Sequence, residues 1–104
     1  MTKVKFYADK IGLIGFEISG HSSFDCDDIN GKIVCSAVSS VAYMAANTIG
    51  EIVGDKCEAV VDDALMNVKV LNPSDTSRKV LEGLKLHLTE LSKQYSDRIV
   101  IMEV

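Results

Sequence analysis

Polar and apolar residues alternate along residues 3–9, KVKFYAD, and again along residues 14–20, IGFEISG, with Gly12 between the two stretches. A period of two is the mark of a half-buried strand, so these stretches predict an N-terminal hairpin. Residues 33–53, IVCSAVSSVAYMAANTIGEIV, then run long, apolar and rich in alanine, which predicts a helix. Val34, Val38, Val41, Ala45 and Ile49 recur at helical spacing as its core stripe, while Cys35, Ser39, Ala42 and Ala46 form a neighbouring face of small residues. Residues 56–72 break at Asp62 and Asp63 into two short strands, a second hairpin. Pro73 opens a second helix that Ser74 or Asp75 caps, with Val80, Leu81, Leu84, Leu88, Leu91 and Tyr95 as its buried stripe. Residues 98–104, RIVIMEV, predict a final strand.

The resulting order is ββαββαβ, without strict alternation of strand and helix. That predicts the α+β class, with two helices packed on a mostly antiparallel sheet. At 104 residues, 47% hydrophobic and 25% charged, the chain has the make-up of one compact domain, 1–104, with no linker or low-complexity segment to divide it. A domain of this size buries about two-thirds of the surface its unfolded chain exposes, so pairing with a second copy would add to a modest core.

Charge narrows the classes further. A net charge of −4 with no basic stripe argues against a nucleic-acid binder, because phosphate recognition is driven by clustered Lys and Arg. The first residues, MTKVKFYADK, carry no apolar signal region, which predicts a cytoplasmic protein. No charge falls between Ile33 and Gly50, but Ser36, Ser39, Ser40, Asn47 and Thr48 interrupt that run and it barely reaches spanning length. It reads as a buried helix of a domain and not as a membrane span. Cys26, Cys35 and Cys57 are irregularly spaced and predict reduced thiols instead of a disulfide framework.

The candidate chemistry lies between Gly20 and Ser40. His21 follows Gly20 at the end of the second strand, and Cys35 falls in the first turn of the helix so drawn. A first turn leaves backbone N–H groups unpaired and carries the positive end of the helix dipole; with an imidazolium nearby, such a site favours a thiolate. The N–H groups near Cys35 and Ser36 would also hold a developing oxyanion. Other readings stand beside this one. Cys35 can be a small buried hydrophobe and His21 a turn residue. Zinc held by His21, Cys26, Cys35 and a loop Asp is a third option, although the spacing matches no paired-ligand pattern. Cys26 has acidic neighbours, Asp25 and Asp27, that disfavour its thiolate. Cys57 reads as packing, and His87 as a residue at the edge of the second helix's stripe. With no phosphate-binding glycine loop and no fitting ligand set, neither cofactor nor metal is expected.

Gly20 and His21 closing a strand, a glycine-containing loop, and Ile33–Ser39, IVCSAVS, opening a helix resemble the bacterial ribosomal-processing cysteine proteases of the Prp family. The likeness extends through chain length and element order. It implies Cys35 as nucleophile, His21 as general base, and Ser39 as the match of a family serine; Ser39 would contact substrate, fix the nucleophile's rotamer, or simply pack the helix. It further implies a homodimeric endopeptidase that removes a short N-terminal extension from a large-subunit ribosomal protein during ribosome assembly. Where the family carries an Asp three residues before the cysteine, this chain has Lys32, a cation that would itself favour a thiolate. A third catalytic member would then be Asp28 or Asp27 orienting His21, or the pair works as a dyad. The loop Ser22–Gly31, with Asp25, Asp27 and Asp28, is expected to order over a peptide and to suit a basic ribosomal tail. A different class, a non-catalytic dimeric assembly module gripping ribosomal protein through the same loop, is separated from the protease by thiol chemistry at Cys35.

Overall fold

The protein is represented by a computed structural model that describes residues 1–23 and 27–103. The strands are β1 (Thr2–Ala8), β2 (Leu13–Ser19), β3 (Cys57–Asp62), β4 (Leu65–Val70) and β5 (Ile99–Glu103). The helices are α1 (Ile29–Asn47), prolonged by a π-helical turn over Thr48–Val53, and α2 (Asp75–Gln94). The five strands form one sheet in the order β3-β4-β2-β1-β5. All neighbours are antiparallel except β1 and β5. The α+β architecture with the order ββαββαβ is therefore the observed one.

The alternation in the sequence becomes the two faces of this sheet. Phe6 pairs with Phe16 and Phe16 with Val68, so three buried side chains line up across the central strands. Lys5, Glu17 and Asn67 fall on the other face, where Lys5 Nζ lies 3.9 Å from Glu17 and Asn67 Nδ2 donates to Tyr7 Oη at 2.8 Å. Both helices pack on the apolar face. From α2 come Ser77, Leu81, Leu84 and Leu88, fully buried, with Val80, Leu91 and Tyr95 half-buried at the edges. Ser74 caps α2 by accepting from Ser77 N at 3.2 Å. Asp55 braces the same helix end, accepting from Ser77 Oγ at 2.6 Å and from Ser74 N and Oγ at 2.9 and 2.7 Å. These donors, Ser77 first, hold the Asp55 carboxyl below the usual range, so the brace stabilises the fold above the ordinary carboxylate pKa of about 4 and is lost as pH falls.

Helix α1 departs from the expected outline in two ways. It begins at Ile29, not Ile33, because Asp28 is a good N-cap whose side chain accepts from Gly31 N at 3.0 Å. Asn30 and Gly31 are weak helix formers and read locally as loop, yet a glycine is required there: a Cβ on Gly31 would lie 2.3 Å from Ser23 Cα, where the loop passes against the helix. The helix is also covered on one side only. Val34, Val38, Ala42, Ala45 and Ile49 are buried, so Ala42 belongs to the core stripe and Val41 to its margin. Helical spacing puts Ile29, Ile33, Tyr43 and Met44 on the opposite side, and all four are exposed. By length and composition Ile29–Val53 could cross a membrane, but its buried stripe is part of the domain core.

Candidate active site

Strand β2 ends in a reversal that only glycine makes comfortably. Gly20 has φ +85°, and a Cβ there would lie 2.4 Å from the Met1 carbonyl oxygen. Its N–H donates to Ala64 O at 2.9 Å, which ties the end of β2 to the β3–β4 turn. The chain then crosses to the N-terminal half of α1. Ser22 is completely buried, with Oγ donating to the Arg98 carbonyl at 3.1 Å and bonded as well to Thr2 Oγ1. Its backbone N–H donates to Cys35 Sγ at 3.1 Å.

Cys35 and His21 open on one cavity of about 380 Å³, bounded by α1 on one side and the β3–β4 hairpin on the other. Gly20, Ser36 and Ser39 line it too, with Tyr43 from α1 and Val61–Met66 from the hairpin. Asp27, Asp28 and Lys32, also singled out in the sequence, do not line it. The Asp28 carboxylate caps α1 and meets Arg98 Nη1 at 2.5 Å, both side chains being only 11–12% exposed. Asp28 thus braces the helix end and Arg98. Asp25 and Cys26, and with Cys26 the zinc option, lie outside the described residues. Among the described residues no three His, Cys, Asp or Glu side chains gather as a metal would require. Cys57 is half-buried against the core, and its thiol is pushed up by burial and by Asp55, which fits packing.

The earlier start of α1 removes one physical expectation. Cys35 lies seven residues past the N-cap Asp28, so its N–H and that of Ser36 bond to carbonyls one turn back and are not unpaired. The dipole effect fades within the first turn. What reaches the sulfur instead is the Ser22 N–H, supplied by the loop. That N–H is a backbone donor on the sulfur that the sequence pattern gave no sign of.

The acidic neighbour of His21 also comes from an unexpected place. Asp63 Oδ1, in the β3–β4 turn, lies 3.9 Å from His21 Nε2. Nothing in the sequence around Asp63 marks it beyond a turn, because its approach depends on β4 pairing with β2. Both side chains are exposed, 57% for His21 and 95% for Asp63, and solvent weakens such pairs. If the site cuts peptides as the resemblance implies, Asp63→Asn is expected to lower that rate by at most about fivefold at low salt, and less in high salt. A fall of a hundredfold, measured on a fluorogenic peptide, would make Asp63 a full triad member.

The site thus sets a thiol that accepts from a backbone N–H and an imidazole along one cleft, the residue types that cysteine-nucleophile enzymes use. The chain matches the family model of the cysteine protease Prp over residues 1–100, and it belongs to that family. Among solved structures it is similar to the ribosomal processing protease Prp from S. aureus in complex with a substrate peptide, with a TM-score of 0.88 at 17% identity, each chain covered in full. The same S. aureus protease with a covalently linked product peptide gives 0.87 at 17% identity, again over the whole of both chains. SMU.848 from Streptococcus mutans gives 0.88 at 19% identity, covering all of this chain and 94% of the other. At such identities these likenesses carry the fold.

Proposed function

We propose that this protein is an endopeptidase that removes a short N-terminal extension from a large-subunit ribosomal protein, with Cys35 as nucleophile and His21 as general base. The observation that carries the reading is the Ser22 N–H on Cys35 Sγ, in a cleft that His21 shares, within a chain of a cysteine protease family. The S. aureus protease of this fold has been captured with a substrate peptide and with a covalently linked product peptide, which supports a peptide as the occupant of this cleft.

His21 takes the Cys35 proton, and the sulfur forms a bond to the scissile carbonyl carbon while the carbonyl oxygen becomes an anion. Collapse breaks the C–N bond, and His21 returns its proton to the leaving amine. A water, deprotonated by His21, then attacks the thioester; the acid product leaves and the thiol is restored. Once sulfur is bonded to carbon it is a weak acceptor, which frees the Ser22 N–H for the oxyanion beside it. Ser39, one turn after Cys35 on the cleft wall, contacts the peptide or sets the nucleophile's rotamer.

The enzyme acts in the cytoplasm as a homodimer, for which the exposed Ile29, Ile33, Tyr43 and Met44 of α1 offer an apolar face. Incubating the protein with the organism's own ribosomal-protein precursors and weighing the products tests the reading. Loss of one N-terminal segment from a single large-subunit protein is expected; precursors of unchanged mass would end it.

A further inference from the structure

We propose that Arg98, together with Asp28, is a positioning residue for the nucleophile, holding the Ser22 carbonyl and side chain so that the N–H of the same residue stays on Cys35 Sγ. The proposal rests on the reading of Cys35 as nucleophile and assigns a task to two residues remote from the reacting atoms.

Every polar group of Ser22 is fixed, and Arg98 fixes two of them. The N–H reaches Cys35 Sγ at 3.1 Å, the carbonyl accepts from Arg98 Nη1 at 2.9 Å, and Oγ donates to the Arg98 carbonyl at 3.1 Å. The same guanidinium nitrogen also donates to Asp28 Oδ2 at 2.5 Å, and the other oxygen of Asp28 accepts from Gly31 N at 3.0 Å. One arginine thus joins the loop that carries the donor to the helix that carries the acceptor. Its own backbone is anchored between α2 and β1, with Arg98 N donating to Tyr95 O at 2.9 Å and Arg98 O accepting from Thr2 N at 2.8 Å. Space for the guanidinium exists because residue 31 is glycine: a Cβ there would lie 2.6 Å from Arg98 Nη1.

The Ser22 carbonyl and Oγ hang on the same Cα as its nitrogen, so holding both fixes where that nitrogen lies. The planar unit that contains the N–H is held at its own carbonyl, His21 O, by the Met1 ammonium at 2.6 Å. A donor held in place favours the attacking thiolate; one free to swing also meets water and loses that bias. Neither Arg98 nor Asp28 lines the cleft that Cys35 and His21 share, so the clamp is expected to act on the chemical step and not on substrate affinity.

Arg98→Met, Arg98→Lys and Asp28→Asn, made in the full chain, test it. With a leader peptide as substrate, Arg98→Met is expected to lower kcat by about 10- to 100-fold and to leave KM within about twofold. The pH profile of Cys35 alkylation by iodoacetamide, followed by peptide mass mapping, is expected to move to higher pH. Arg98→Lys keeps a cation with several donors and should recover much of kcat. Asp28→Asn keeps a good N-cap and should shift kcat and the alkylation profile in the same direction as Arg98→Met, by less. If Arg98→Met does not fold, Asp28→Asn decides: an alkylation profile superimposable on that of the unaltered protein overturns the proposal. So does a folded Arg98→Met that is less stable but unchanged in kcat and in that profile. If the unaltered protein cuts no leader while the profile still shifts, the peptidase reading fails and the positioning role stands. If it cuts and Arg98→Met cuts equally well, the positioning role fails alone.

Discussion

Cys35→Ala is expected to abolish cleavage of a leader-bearing ribosomal precursor, lowering kcat by at least about 10⁴-fold, while the leader peptide still binds. The substitution removes the sulfur that accepts from Ser22 N and leaves the cleft walls, Ser36, Ser39 and Tyr43 on α1 and the β3–β4 hairpin, as they are. A protein that still trims the leader without its thiol would end the nucleophile assignment. A protein whose unaltered form binds the leader but never cuts it would instead be the dimeric assembly module. Cys35 should also be the thiol that reacts first, ahead of Cys57, whose burial and neighbouring Asp55 disfavour its thiolate.

The largest effect on stability is expected from Phe16→Ala. Phe16 is fully buried on β2, the middle strand of the sheet, with its ring centroid 6.5 Å from that of Phe6. Emptying such a site costs about 3–5 kcal/mol, out of a total of about 5–15 kcal/mol for an ordinary domain. The urea midpoint should fall by roughly 1–3 M. Because β2 leads directly into Gly20, His21 and Ser22, the loss should reach the site as well, with faster hydrogen exchange at the Ser22 amide. A midpoint within a few tenths molar of the original would show that this ring is not packed in the core.

The parts of the fold that were legible in the sequence are those written in local periods. Alternation marked the first hairpin, and the break at Asp62 and Asp63 marked the second, with the turn between β3 and β4. The α2 stripe was readable from Val80 to Tyr95 because amphipathic spacing is a property of consecutive residues. The start of α1 was not. Asn30 and Gly31 suit a loop by propensity, and the need for a bare backbone at residue 31 exists only because Ser23 and Arg98 come to lie against it. Tertiary packing overrode the local preference, and with it moved Cys35 from the first turn to the second.

The cleft divides in the same way. Gly20, His21, Cys35, Ser36 and Ser39 stand out by type and spacing, and the structure sets them around one cavity. Asp28 stood out as well, and the fold gave its carboxylate to Gly31 and Arg98. Ser22, Asp63 and Arg98 carried no local signal, since each matters through a partner distant in the chain.

By itself the sequence determined the order of elements, which faces of them are apolar, and that a histidine and a cysteine flank one loop. Only the tertiary structure decided which donor meets the sulfur, which carboxylate stands by the imidazole, and what holds the loop in place. The reason is physical: period and propensity act between neighbours in the chain, whereas Arg98 reaches Ser22 across 76 residues, a contact that exists only once β5 has paired with β1.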